Sequence, residues 1–412
     1  MQRSLDGGSA PARPACQGEY HNVDSHAGHS HLEGNTVKFK NVAAAGALAI
    51  TAAIVLSSCA GGGSTDAGST STPTETTPAV DYSSLAGTIT AGGSSAQANA
   101  QAAWITAFTA QAKGVTINYD KSQGSGGGVT NWLAGSYDFA GSDSPLKDDQ
   151  QASSQTICGA GGGLNLPVYL DGVAIIYNLP GVDSLQLSSA TLAKIFSMQI
   201  TTWNDPAIAA DNPDATLPAT AITTVTRSDG SGTTQNFTNY LSAVQPSIWT
   251  NAPSNAWPIA GSSAQQGGSG VVNTVKAGEG TIGYADHSAI GDLTAAAIQV
   301  GTGTDFVEFS QEGATNAFTA ASTTVDTGVD GDLAQVIDYT AITEADAYPI
   351  PLISYAILCT EFSDATQADL TKSYIGFVAS DAGQQIASKN AGSAPIPADM
   401  LSQIQDSLAL IG

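Results

Sequence analysis

Three loops rich in glycine and serine hold the residues of this chain that could do chemistry. They are Gly93-Ser94-Ser95-Ala96, Gly124-Ser125-Gly126-Gly127 and Arg227-Ser228-Asp229-Gly230-Ser231-Gly232-Thr233-Thr234. Each loop is followed by a helix-like segment, so its backbone N–H groups and hydroxyls would lie at a helix N-terminus, where partial positive charge favours anions. Glycine-serine turns also cap helices in many proteins, so a structural role remains open for any single loop.

Arg227 strengthens the prediction of an anion site. After Cys59 the chain contains seven lysines and only this arginine. A guanidinium beside Gly-Ser-Gly-Thr suits two-point recognition of an oxyanion, and Asp229 could hold it in place. The alternative is a surface arginine near one of many carboxylates.

Asp143, within Gly141-Ser142-Asp143-Ser144-Pro145, is an unexpected residue beside an anion. A carboxylate can accept a hydrogen bond only from a ligand that carries a proton. Hydrogen phosphate has such a proton and sulfate has none, so an aspartate in the pocket would select phosphate. The alternative is an aspartate that caps the N-terminus of a short helix.

Other chemistries find little support. After Cys59 the only histidine is His287, and neither a Gly-x-Ser-x-Gly elbow nor a Gly-Lys-Ser/Thr phosphate loop is present. The four cysteines lack metal-ligand spacing. From these observations together we predict no catalytic residue, no metal and no cofactor. A net charge of −24 argues against nucleic-acid binding, which requires a basic surface.

The elements that must position the loops alternate between strand and helix. We predict strands over 87–91, 115–119 and 137–140, a helix over 98–112 and another that opens at Gly124. This alternation indicates an α/β sheet with mostly parallel strands, in which ligands bind where strands lead into helices.

The N-terminal region has the pattern of a secretion signal. Lys38 and Lys40 precede the apolar run 42–56, and Leu-Ser-Ser-Cys59 resembles the lipobox in which bacterial lipoproteins carry their lipid. We predict a signal peptide over 37–58, with lipidation at Cys59. The alternative is a short buried helix that ends in an ordinary cysteine.

Residues 1–36 do not fit a signal peptide. They contain four of the five histidines, which leaves open a weak metal-binding tract. The preferred interpretation is a non-native or mis-annotated extension, with translation starting at Val37.

Residues 59–84 are rich in glycine, serine, threonine and proline and are predicted to form a flexible tether. A domain held by such a tether on a lipid-anchored cysteine would lie outside the cytoplasm, where disulfides form. Cys158 and Cys359 could then be bridged, although two buried free thiols are the alternative.

Several motifs occur in the order found in the PstS family, the phosphate-binding proteins of bacterial phosphate ABC transporters. Besides the three loops and the segment 138–145, they are Tyr-Asn-Leu-Pro-Gly (177–181), Ile-Thr-Thr-Trp-Asn-Asp-Pro (200–206), Gly-Thr-Ile-Gly-Tyr (280–284) and Tyr-Pro-Ile (348–350). The chain resembles this family from about Leu85 to its C-terminus, and Cys59, Cys158 and Cys359 resemble an actinobacterial version.

The resemblance implies a set of phosphate contacts. They are Ser95 and the N–H of Ala96 from the first loop, Ser125 from the second, Asp143 as the acceptor of the phosphate proton, and Arg227, Ser231, Gly232 and Thr233 from the third. Asp229 would pair with Arg227. The family often has Thr-Phe at the positions of Ser95 and Ala96. Ser95 keeps the hydroxyl of the threonine, and Ala96 keeps the backbone N–H donor but lacks the apolar side chain that would cover the site.

The resemblance also implies a type II periplasmic-binding-protein-like fold with the ligand in a cleft between two α/β lobes. Residues 85–168 and 350–412 would form lobe I, and residues 169–349 lobe II. The implied partners are inorganic phosphate, the permease subunits and the membrane through the lipid on Cys59, with the protein a monomer. The alternatives are a binder of another tetrahedral oxyanion and a phosphatase-like enzyme on the same scaffold.

Overall fold

The computed structural model of the protein describes residues 80–412. Its strands are β1 Ala86–Gly93, β2 Gly114–Asp120, β3 Phe139–Ser142, β4 Gly163–Asn178, β5 Gln186–Leu187, β6 Thr223–Arg227, β7 Ser263–Gln265, β8 Thr281–Asp286, β9 Thr294–Ala295, β10 Ala297–Gln299, β11 Phe306–Val307, β12 Ser322–Thr324, β13 Gln335–Ile337 and β14 Pro351–Cys359. Its α-helices are α1 Ala98–Gln111, α2 Gly124–Leu133, α3 Asp148–Cys158, α4 Ser189–Phe196, α5 Pro206–Asp211, α6 Gly232–Val244, α7 Gly267–Ala277, α8 Gln311–Ala321, α9 Ala365–Val378, α10 Asp381–Ala391 and α11 Ala398–Ala409. Short 3-10 helices cover Lys121–Gln123, His287–Ala289 and Tyr339–Ala341.

A nine-stranded sheet forms the centre of this α/β fold. Its strand order is β2-β1-β3-β14-β4-β8-β6-β7, and β9 also pairs with β4. The pairs β1–β2, β1–β3, β6–β7 and β6–β8 are parallel. The pairs β3–β14, β14–β4 and β4–β8 are antiparallel. The prediction of a mostly parallel sheet is therefore right for its flanks and wrong for its centre.

Strand β4 links the two flanks of the sheet. Its first part, Gly163 to Gly172, pairs with β14, and its second part, Val173 to Asn178, pairs with β8. Almost every residue of this 16-residue strand is buried, and α3, α6, α7 and α8 all pack against it. Two groups of strands thus meet along one continuous backbone: β1, β2, β3 and β14 on one side, and β6, β7 and β8 on the other.

The first predicted strands and helices are present with small shifts. The predictions 87–91 and 115–119 lie within β1 and β2, whereas β3 begins at Phe139, two residues later than predicted. The helix predicted over 98–112 ends at Gln111, and the second helix opens at Gly124 as predicted.

The folded part of the chain begins before residue 85, and a disulfide links two of its elements. Tyr82 packs against Phe108, with ring centroids 5.0 Å apart, so the chain joins the core before Leu85. Cys158 at the end of α3 is bonded to Cys359 at the end of β14, which confirms the predicted disulfide.

The predictions for the extension, the signal peptide and Cys59 lie outside the described residues, as does most of the tether. Within 80–412, no helix is both long enough and apolar enough to cross a membrane.

Candidate anion-binding site

The predicted site residues all lie at or shortly after the carboxyl ends of strands in the central sheet. β1 ends at Gly93 before the first loop, β3 ends one residue before Asp143, and β6 ends at Arg227. The second loop follows β2 through a 3-10 helix. Because β1, β2 and β3 are parallel, their carboxyl ends lie along the same edge of the sheet, as predicted for a ligand site in an α/β fold.

Each of the three loops opens a helix, as predicted: α1 after the first, α2 within the second and α6 within the third. No side chain caps α1 or α2, whose N-cap residues are Gln97 and Gln123. The third helix is capped by Ser231, whose Oγ accepts a hydrogen bond from the N–H of Thr234 at 3.1 Å. Uncapped first turns leave N–H donors available to an anion.

The second and third loops touch each other. The N–H of Gly126 donates to the carbonyl of Gly230 at 2.8 Å. A Cβ on Gly232 would lie 2.6 Å from both Ser125 Oγ and the Cβ of Asp143. Such a contact is too close for any side chain, so glycine at position 232 allows the two strand groups to approach this closely.

Arg227 forms half of a buried ion pair. Its Nε donates to Asp229 Oδ1 at 2.7 Å, and its Nη2 donates to Asp229 Oδ2. Within residues 80–412, Nη1 has no hydrogen-bond acceptor, so one edge of the guanidinium is available to a ligand. Burial acts to raise the pKa of Asp229, but its hydrogen bond and charge interaction with Arg227 outweigh this and lower the pKa.

Asp143 lies among hydroxyl groups. Its Oδ1 accepts hydrogen bonds from Ser94 Oγ and, at 2.7 Å, from Ser354 Oγ. Its Oδ2 accepts one from Thr233 Oγ1 at 3.1 Å, and its own N–H donates to Ser125 Oγ at 3.1 Å. Since α3 begins five residues later, with Lys147 at its N-cap, the alternative of Asp143 as a helix cap is wrong.

Two opposing influences act on the ionisation of Asp143. Burial raises its pKa, and the hydrogen bonds from Ser94 and Ser354 together with the positive charge of Arg227 act in the other direction. A buried carboxylate that receives this many donors can remain an acceptor toward a further proton-carrying group.

The first loop contributes through Ser95 and Ala96. Ser95 Oγ accepts a hydrogen bond from the N–H of Gly268, at the start of α7, at 3.2 Å. The N–H of Ala96 donates to Ser94 Oγ at 3.1 Å. The first loop therefore reaches α7, which packs on β6, β7 and β8 of the other strand group. The N–H of Ala96 is already engaged in a hydrogen bond within the loop.

The sequence analysis gave no role to several residues of this region, although two of them lie in motifs that it quoted. They are Ser94, Gln97, Asn236, Tyr284 and Ser354. The amide of Asn236 donates to the carbonyl of Asp143, and Tyr284 Oη lies 2.7 Å from Thr234 Oγ1. Ser354 had one signal in the sequence, because it is a serine inside the otherwise apolar run of β14.

The described residues offer no metal centre, since 80–412 contain no group of three or more His, Cys, Asp or Glu side chains arranged to hold a metal ion. What the region does offer is one guanidinium edge, several hydroxyls, helix N-termini and one carboxylate acceptor. This combination suits a tetrahedral oxyanion that carries a proton.

Known proteins share this sequence and fold. Residues 68–382 match the family model described as the PBP superfamily domain. The chain is 36% identical over 372 residues to phosphate-binding protein PstS3 of Mycobacterium bovis strain BCG, which covers 90% of this chain and 98% of that protein.

Two solved structures show the same fold. A phosphate-binding protein from Stenotrophomonas maltophilia has a TM-score of 0.60 at 21% identity, covering 78% of this chain and 94% of its own. PfluDING, a high-affinity periplasmic phosphate-binding protein solved with phosphate, has a TM-score of 0.63 at 23% identity, covering 78% and 93%.

Proposed function

The chain belongs to the PstS family of phosphate-binding proteins, and we propose that it binds inorganic phosphate outside the cytoplasm and delivers it to the permease of a phosphate ABC transporter. One observation carries this proposal: Asp143 accepts a hydrogen bond from Thr233 of the third loop and interacts with the charge of Arg227, and Gly126 of the second loop donates to Gly230 of the third. A protein with a net charge of −24 can bind an anion there because the donors are local and buried.

The proposed ligand contacts are taken from those implied by the family resemblance: Ser95, Ser125, Asp143, Arg227, Ser231, Gly232 and Thr233. The N–H of Ala96, which the resemblance also implies, donates to Ser94 Oγ instead. In this arrangement Arg227 uses its free edge on two phosphate oxygens while Asp229 holds the other edge. Asp143 accepts the phosphate proton. Its hydrogen bonds to Ser94, Ser354 and Thr233 fix the carboxylate in place for that task.

We further propose that the two strand groups are the two lobes, with residues 85–168 and 350–412 in one and 169–349 in the other. Phosphate would then bridge them, since Asp143 belongs to the first and Arg227 to the second. The protein would act as a monomer, and the permease would recognise the surface of its closed form.

The anchor proposed for this domain is a lipid on Cys59, at the start of the tether. The support is the lipobox-like Leu-Ser-Ser-Cys and the apolar run before it. We expect Cys59→Ala to release the folded domain from the membrane, which fractionation would detect. Membrane association that survives this change would contradict the anchor.

A thermal unfolding experiment tests the function. Phosphate should raise the melting temperature of the domain, because a ligand that binds only the folded state stabilises it. No shift at millimolar phosphate would contradict the proposal. Hydrolysis of a phosphate ester would favour the phosphatase alternative if the purified parent protein carries it out and the Arg227→Ala variant does not.

A further inference from the structure

A chain of buried hydrogen bonds runs from the interior of the protein to Asp143. Tyr374 Oη donates to Gln101 Oε1 at 2.6 Å, and Gln101 Nε2 donates to Gln97 Oε1 at 2.9 Å. Gln97 Nε2 donates to Ser354 Oγ at 2.8 Å, and Ser354 Oγ donates to Asp143 Oδ1 at 2.7 Å. All five side chains are at most 3% exposed.

The direction of this chain is fixed by a backbone carbonyl. Gln97 Nε2 also donates to the carbonyl oxygen of Tyr355 at 2.9 Å. A carbonyl can only accept, so the amide nitrogen of Gln97 must face both Tyr355 and Ser354. Ser354 Oγ therefore accepts from Gln97, and its single proton is directed at Asp143.

A second hydroxyl is oriented in the same way. Ser94 Oγ accepts from the N–H of Ala96 at 3.1 Å and from the N–H of Gln97 at 3.4 Å, so its proton also points to Asp143 Oδ1. Oδ1 thus has two fixed donors, and a proton could be added to the carboxyl only on Oδ2 or at the loss of one of them. Each donor stabilises the ionised form of Asp143.

We propose that Ser354, oriented by Gln97, is a specificity-determining residue of the anion site. Its hydroxyl keeps Asp143 an acceptor toward the ligand, which admits an anion that carries a proton and excludes one that carries none. This inference rests on the proposed phosphate-binding function. Ser354 acts through Asp143 and is a positioning residue, so it is separate from the proposed ligand contacts.

The charged and titratable groups around Asp143 come from three other elements. Arg227 on β6 favours its ionised form, and the charge of Asp143 in turn raises the pKa of Asp286 at the end of β8. Tyr119 on β2 interacts with the charge of Asp143 and is neutral, because burial raises the pKa of its hydroxyl. None of these three groups forms a hydrogen bond with Ser354, whose partners are Gln97 and Asp143, so a change at position 354 reports on Asp143.

The test compares phosphate and sulfate by competition calorimetry between pH 5 and 8, on the parent protein and Ser354→Ala. Loss of a hydrogen bond to a charged group should reduce the preference for phosphate over sulfate by about tenfold. Sulfate carries no proton in this range, so its affinity reports protonation of Asp143. The pH at which sulfate binding weakens should rise by about one unit in the variant.

Two further variants keep the test decisive. Ser154→Ala removes a buried hydroxyl that donates to the Gln151 carbonyl at 2.7 Å, and it should behave as the parent does. Gln97→Met removes the donor that orients Ser354 and should shift preference and pH profile in the same direction, by a smaller factor. It replaces Ser354→Ala if that variant does not fold.

The outcomes separate the inference from the function on which it rests. A parent that prefers phosphate, together with a Ser354→Ala variant that has the same preference and pH profile, would overturn the role of Ser354 alone. Equal losses of phosphate and sulfate affinity would also overturn it, because they indicate a merely structural role. A parent that binds neither anion would contradict the proposed function itself.

Discussion

Arg227 and Asp229 form the strongest electrostatic pair of the site. The side chain of Arg227 is 2% exposed and that of Asp229 is 6% exposed, so the pair is removed from water. A buried pair of this kind contributes less to stability than to geometry, because desolvation offsets much of the Coulomb attraction. The pair fixes the plane of the guanidinium, which the proposed two-point contact with an anion requires.

Replacement of Arg227 by alanine should weaken phosphate binding by about 3–5 kcal/mol, the scale for an unpaired buried charge. Arg227→Lys should recover part of this loss, because one ammonium cannot reproduce the two-point contact. Calorimetry measures both. Lys276→Ala serves as the control, since this exposed cation lies 3.6 Å from exposed Asp292 and should not affect affinity. Near-parental affinity in Arg227→Ala would show that neutral helix N-termini suffice.

Asp143 should set the choice between anions. Asp143→Asn replaces one acceptor oxygen by an NH2 donor of similar size, so we expect phosphate affinity to fall and sulfate affinity to rise. Arsenate, which also carries a proton, should follow phosphate. Competition calorimetry with all three anions checks this. An Asn variant with unchanged discrimination would place the selectivity elsewhere.

At the scale of single residues, the sequence predicts the charged groups proposed to meet the anion, and it misses the polar side chains that form hydrogen bonds to them. Arg227 was identifiable because it is the only arginine after Cys59, and Asp143 because it contradicts an anion site unless the ligand has a proton. Ser354 lies 211 positions along the chain from Asp143 and reaches it through the pairing of β14 with β3. Gln97 follows β1, which pairs with β3 on its other side. No local pattern specifies that register.

Strand β4 carries a second buried acidic group where its partner changes from β14 to β8. Tyr169 Oη donates to Asp171 Oδ2 at 2.6 Å and lies 3.1 Å from Asp286 Oδ1. Burial raises the pKa of both aspartates, and the charge of Asp171 raises that of Asp286 further. Two buried carboxyls that meet the same tyrosine hydroxyl titrate as a pair, and we expect them to share a proton in the folded protein.

This pair predicts a stability that falls with rising pH. The folded state holds the shared proton more tightly than the unfolded state, so the contribution is complete below the ordinary aspartate pKa and is lost as pH rises through the raised values. Asp286→Asn removes one of the two charges and should flatten the dependence. Melting temperatures from pH 5 to 8 test this, with the exposed Asp292→Asn as control. Parallel curves for the parent and Asp286→Asn would contradict the shared proton.

The first elements of the folded part were predictable, and the arrangement of the sheet was less so. Alternating patterns placed β1, β2, α1 and α2 within about two residues. The antiparallel centre of the sheet was not predicted, because β4 and β14 read as apolar runs whose direction and partners depend on contacts across nearly 200 residues.

On the scale of the whole molecule, the disulfide between Cys158 and Cys359 ties the end of α3 to the end of the returning strand β14. The two residues are 201 positions apart in the chain, and the segment between them includes every element of the proposed second lobe. The bond therefore closes a loop that begins and ends in the first strand group.

Removal of this disulfide should reduce stability without changing the ligand. For a loop of this length the chain-entropy model gives a loss of about 5 kcal/mol in the free energy of unfolding, less any strain released. Urea unfolding of the double variant Cys158→Ser/Cys359→Ser measures it. Phosphate affinity should stay near that of the parent, since neither cysteine lies among the proposed contacts. An unchanged midpoint would show that the bond does not constrain the unfolded chain.

The measurement that tests the central claim most directly is a calorimetric titration of residues 80–412 with phosphate and, separately, with sulfate at neutral pH. The account predicts one phosphate per chain, bound tightly, and sulfate bound weakly or not at all, because Asp143 requires a ligand proton. Comparable affinities for the two anions, or no heat with phosphate, would contradict it.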